Sequence, residues 1–127
     1  MAYVYANPNP KHKVTNDCVV RAISLATGRP WNTVFWDLTD ELYKEKETCM
    51  DSNKVWGQYL EKLGCSRYHI ADSCPICYTV RDFCDDNPKG SYVLCTGTHA
   101  VAVINGDYYD VFNSGSAIPL YYFLVEE

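Results

Sequence analysis

The stretch HAVAVINGDYYDVF, running from His99 to Phe112, makes the strongest topological statement in the chain. Two runs rich in Val, Ile and Tyr flank Asn105-Gly106, a dipeptide whose residues accept the positive φ angles of a tight hairpin. Tyr92 to Cys95, His99 to Ile104, Tyr108 to Phe112 and Tyr121 to Val125 are all short, strand-like and separated by Gly, Asn, Ser or Pro. They predict an antiparallel C-terminal sheet, because neighbouring parallel strands would need a crossover between them. Arg67 to Ile70 reads as a further short strand.

Upstream of residue 65 the period becomes helical. Thr15, Asn16 and Asp17 are N-cap types, and Val19, Ala22, Ile23 and Ala26 then recur at i, i+3, i+4 and i+7 until Gly28 and Pro30. A second stripe, Val34, Phe35, Leu38 and Leu42, lies between Trp31 and about Lys46. Asp51 and Ser52 can cap a third helix, with Val55, Tyr59, Leu60 and Leu63 on one face and Gly64 at its end. Thr79 can cap a brief helix that stops at Asn87-Pro88. Helices first and strands afterwards describe an α+β domain, N-terminal helices packed on a C-terminal antiparallel β-sheet. Residues 1–14 hold two Asn-Pro pairs and read as an extended lead-in, and residues 15–127 read as a single domain.

Composition removes several classes of function. Apolar residues make up 47% of the 127 and charged residues 21%, an ordinary globular mixture. The net charge of −5, without a Lys/Arg stripe, disfavours nucleic acid as a partner. No apolar run approaches the ~20 residues of a membrane span, and Asn7 to Lys11 is too polar for a signal peptide. The expected location is the cytoplasm, or the host cytoplasm for a phage-encoded chain. Seven cysteines, an odd number with no export signal, cannot all be explained by a disulfide framework.

Cys18 opens the first predicted helix, where free backbone N–H groups and the positive end of the helix dipole favour a thiolate and could receive an oxyanion. His99 leads its strand from the Gly97-Thr98 break and is placed to act as general base. Either of two residues could orient its ring. A two-residue turn pairs Ile104 with Asp107 and brings Asp110 to the histidine's face; a three-residue loop brings Asn113 there instead.

These residues resemble the papain-like cysteine peptidases in their order: a cysteine opening the first helix, a His-Ala-Val-Ala-Val strand, and a following strand that ends in Asn113-Ser114. Asp17-Cys18 is also similar to the peptidase domains of bacteriocin exporters. The resemblance implies a papain-like fold with Cys18 as nucleophile, His99 as base and acid, and Asn113 or Asp110 as orienting group. It implies no cofactor. The family's oxyanion glutamine, six residues before the nucleophile, is replaced by His12, so His12 or Asn16 would have to assist the Cys18 N–H. Val19 replaces the tryptophan that usually follows the nucleophile. The interval from Cys18 to His99 is short beside the ~130 residues or more of the lysosomal type. The resemblance is to a minimal bacterial or phage form, acting on a peptide, amide or thioester.

Two other classes compete. A non-catalytic module of the same fold would use the Cys18 cleft or the sheet edge for a protein partner. Alternatively, Cys74-Pro75-Ile76-Cys77 is a C-x-x-C step that could supply half of a zinc site in a small interaction domain, although a second pair is missing from the spacing. The C-terminal strand, as a sheet edge, would suit a weak homodimer; otherwise the chain is expected to be a monomer.

Overall fold

The computed structural model describes residues 2–49, 52–71 and 76–126. Helix α1 (Cys18–Thr27) buries the whole predicted stripe, and its chain reverses at Gly28, whose φ of 74° is left-handed and whose N–H donates to the Ser24 carbonyl. Helix α2 spans Trp31–Glu45 and α3 spans Asn53–Lys62. The N-cap of α3 is Ser52; Asp51 lies outside the described residues. Helix α4 (Val80–Asp86) opens with a reciprocal capping box between Thr79 and Asp82.

Strands β1 (Tyr3–Tyr5), β2 (Ser66–His69), β3 (Ser91–Cys95), β4 (Ala100–Ile104), β5 (Asp107–Asp110) and β6 (Tyr121–Glu126) form one sheet in the order β1-β5-β4-β3-β6-β2. The domain is α+β, but the sheet is mixed and not wholly antiparallel. Tyr3 to Tyr5, inside the expected lead-in, adds to the edge of β5 in parallel, with Tyr5 beside Asp110. A three-residue strand carries no readable period, and only the free edge of β5 gives it a place. The C-terminal strand β6 is not an edge, since it lies between β3 and β2.

Asn105 and Gly106 have φ of 50° and 80° and form a two-residue turn, with Ile104 opposite Asp107 and Ala102 opposite Tyr109. Regular pairing is narrower than the composition predicts: β4 begins at Ala100, one residue after His99, and β5 ends at Asp110.

Side chains alternate across the sheet into two cores. Val93, Cys95, Ala100, Ala102, Tyr121 and Phe123 meet α1, α2 and α3 on one face. Leu94, Val101, Val103 and Tyr108 meet α4 on the other. Alanines at 100 and 102 leave room for α1 to lie close over β4. Among the described residues no helix is long and apolar enough to cross a membrane.

The chain from 111 to 120 is folded back onto α4. Gly115 accepts the Arg81 N–H through its carbonyl at 3.1 Å, and Ala117 accepts that of Val80 at 2.9 Å. A Cβ on Gly115 would lie 2.4 Å from the hydroxyl of buried Tyr108 and 2.8 Å from its ring. Gly115→Ala is therefore expected to destabilise the fold by about 1–3 kcal/mol, the usual cost of overpacking, read as a lower urea midpoint with an unchanged slope.

Candidate active site

Cys18 is the first residue of α1, and its position is set by the residue before it. The Asp17 carboxylate is buried and pairs with the Arg21 guanidinium one turn on, while its other oxygen accepts from the Trp31 indole at 3.0 Å and the Asn9 amide at 3.4 Å. Arg21 also donates to the Thr15 carbonyl at 3.3 Å. With its carboxylate committed to Arg21, Trp31 and Asn9, Asp17 makes no side-chain cap on the first-turn amides. Those N–H groups lack intrahelical acceptors and sit at the positive end of the dipole, beside the Cys18 sulfur.

His99 immediately precedes β4 and meets Asp110, the last residue of β5. The hairpin register places Asp110 opposite Val101, on the diagonal from His99, close enough for long side chains to touch. His99 Nε2 lies 2.6 Å from Asp110 Oδ2. The carboxylate is 3% exposed and the imidazole 17%. Asp110 is fixed from several directions: Ser114 Oγ donates to Oδ2 at 2.8 Å and the Val111 N–H to Oδ1 at 2.8 Å. Its own carbonyl accepts from the Ala6 N–H at 3.0 Å and the Tyr3 hydroxyl at 3.2 Å. The half-exposed Phe112 ring covers the imidazole with centroids 4.9 Å apart.

With Nε2 occupied by Asp110, the other ring nitrogen is left for the thiol. Burial pushes the Cys18 pKa up, but the His99 hydrogen bond, the Ala100 N–H and the charges of His99 and Arg21 outweigh it, and the thiol lies below its ordinary range. Burial pulls His99 down, yet hydrogen bonds to Asp110 and Cys18, with their charges, raise it to about 9. Both shifts favour a thiolate beside an imidazolium near neutral pH. Thiol, imidazole and carboxylate thus stand in line, an arrangement that can activate a thiol and return a proton.

Asn113 requires a correction. Its Oδ1 accepts from the Tyr108 hydroxyl at 2.7 Å, the Gly115 N–H at 3.1 Å and Arg81 at 3.4 Å, so it locks the turn onto α4 and β5. The two-residue hairpin, by fixing the register, brings Asp110 and not Asn113 to the imidazole. His12 and Asn16, the expected oxyanion donors, are exposed, and neither lines the pocket beside Cys18. That pocket holds about 50 Å³ and is walled by Trp56, Cys95, the 97–100 segment and Asn53 at the start of α3. Asn53 and Ser114 were not singled out from sequence. Both stand in ordinary cap and turn positions, and the only available signal for Ser114 was its place four residues after Asp110.

Cys77 is exposed, and its partner in the C-x-x-C step, Cys74, lies outside the described residues. Among the described residues no group of three or more His, Cys, Asp or Glu could hold a metal ion.

Asp110→Asn exchanges the charged acceptor for a neutral amide. The His99 pKa is expected to fall from about 9 toward the ordinary imidazole value of about 6.5, and the Cys18 pKa to rise as it loses its cationic neighbour at neutral pH. NMR titration of the imidazole in both proteins measures the first shift; an unmoved value would show that Asp110 does not hold the proton on the ring. Comparison of the chain with protein-family models, curated proteins and solved structures found no match.

Proposed function

We infer that the protein is a cysteine-dependent hydrolase or acyl transferase of papain-like build. The reading rests on one observation: Cys18, at the start of α1, shares a small pocket with His99, whose Nε2 is held by a buried Asp110 that Ser114 and the Val111 N–H fix in turn. The order of cysteine, histidine and acid along helix, strand and next strand supports the papain-like assignment. Asp110 takes the part that the resemblance offered to Asn113.

In this mechanism the Cys18 thiolate attacks the carbonyl carbon of an amide or thioester and forms a C–S bond. Electrons move to the carbonyl oxygen, which faces the uncapped first-turn amides of α1. When the oxyanion collapses, the bond to the leaving group breaks and the His99 imidazolium supplies its proton. Water or another acceptor then attacks the thioester, His99 takes its proton, and the thiolate leaves. Asp110 keeps the ring aligned through both halves. The pocket of about 50 Å³ is far below the several hundred Å³ of a typical small-molecule site, which favours a slender acyl group or an extended peptide over a bulky ligand.

Iodoacetamide titration across pH, with alkylated sites mapped by mass spectrometry, tests the reading. Cys18 is expected to react well below pH 8, before exposed Cys49, and to lose that advantage in His99→Ala. Turnover of a substrate is expected to decline as pH rises through about 9, where His99 gives up the proton it must deliver. If Cys18 alkylates no faster than Cys49, the hydrolase reading is overturned and a binding module remains.

A further inference from the structure

The expected side-chain oxyanion donors, His12 and Asn16, are absent from the pocket wall, yet a different amide is present. Asn53, the first residue of α3, lines the same pocket of about 50 Å³ as Cys18, His99 and Ala100. Its orientation is determined chemically. The Trp56 indole Nε1–H donates to Asn53 Oδ1 at 3.2 Å, and an indole N–H is only a donor, so the amide atom facing it must be the oxygen. Asn53 is exposed, so its Nδ2 group, with no hydrogen-bond partner among the described residues, keeps two N–H donors open to solvent and to a molecule entering the pocket.

Its support is rigid. Trp56 is 1% exposed, stacked on Tyr121 with centroids 6.1 Å apart and set edge-on to Phe123 at 5.4 Å. The indole is thus held by the α3 core, and one turn of helix fixes Asn53 relative to it. A pinned amide whose donor end lacks a partner, sharing a pocket this small with the nucleophile, is suited to a carbonyl oxygen as it gains charge.

We propose that Asn53 is a catalytic residue of the acyl-transfer site, its Nδ2–H joining the Cys18 backbone N–H in binding the carbonyl oxygen as it becomes an oxyanion. The assignment rests on the hydrolase reading above. It places the second donor on α3, downstream of the nucleophile, so that α1 and α3 grip the substrate carbonyl from two sides while His99 approaches from the sheet.

The test uses two reagents for the same thiol in the intact chain. p-Nitrophenyl acetate acetylates a thiolate through an oxyanion, whereas iodoacetamide alkylates it by direct displacement of iodide, without one. Rate constants for both at Cys18, located by mass spectrometry, are compared for the wild type, Asn53→Ala and Asn53→Asp. The Asp variant keeps an acceptor for Trp56 and guards against loss of folding. The ratio of acetylation to alkylation is expected to drop about 100- to 1000-fold in both variants, the usual effect of deleting one oxyanion donor. An unchanged ratio, including the case where both rates fall together, overturns the role of Asn53. If wild-type Cys18 is readily alkylated but not acetylated, the hydrolase reading itself fails, and the assignment with it.

Discussion

A carboxylate that is 3% exposed must be supplied with donors, because burying an unpaired charge costs several kcal/mol. The Asp110 carboxylate draws three, from His99 just before β4 and from Ser114 and the Val111 N–H in the turn after β5, and its main-chain carbonyl takes two more from the N-terminal segment, the Ala6 N–H and the Tyr3 hydroxyl. Satisfying the carboxylate ties β4 to β5 and fixes the 111–114 turn, while the main-chain carbonyl of the same residue helps to dock β1 on the sheet edge. The same constraint turns the imidazole so that one nitrogen remains for Cys18.

The second anchor is the start of α1. A helix at the centre of the domain carries an arginine, Arg21, at 5% exposure, tolerable only because Asp17 pairs with it. The pair also holds the last residue before Cys18 against the Trp31 indole. Ala100 and Ala102 let the helix lie against β4, next to the residue that bears the imidazole. Two buried acids, Asp17 and Asp110, therefore set the two halves of the site independently, and close packing of helix on strand brings them together.

The cysteines show how environment separates identical groups. Burial alone pushes the Cys65 thiol up, and burial with nearby aspartates carries Cys84 to about 11. Such thiols remain protonated and inert near neutral pH. Cys18 is also desolvated, but His99, the Ala100 N–H and Arg21 reverse the direction. Cys95 lines the same pocket yet is buried against the sheet, with its sulfur accepting the Gly97 N–H at 3.4 Å.

Much of the fold was legible because its signals are local. The stripe from Val19 to Ala26, the Thr79 cap and Asn105-Gly106 each act within a few residues, and each forms the expected element. Sequence order placed Cys18 at a helix start and His99 at a strand start. It could not choose between Asp110 and Asn113, since one residue of hairpin register moves every side chain to the opposite face. Nor could it place β1, Ser114 or Asn53, whose partners are distant in the chain. By itself the sequence determined the α+β class and the two reactive residue types at element ends. Tertiary structure alone decided which side chain meets the imidazole, the environment of the thiol and the pocket wall, because hydrogen-bond satisfaction and desolvation depend on what lies nearby in space.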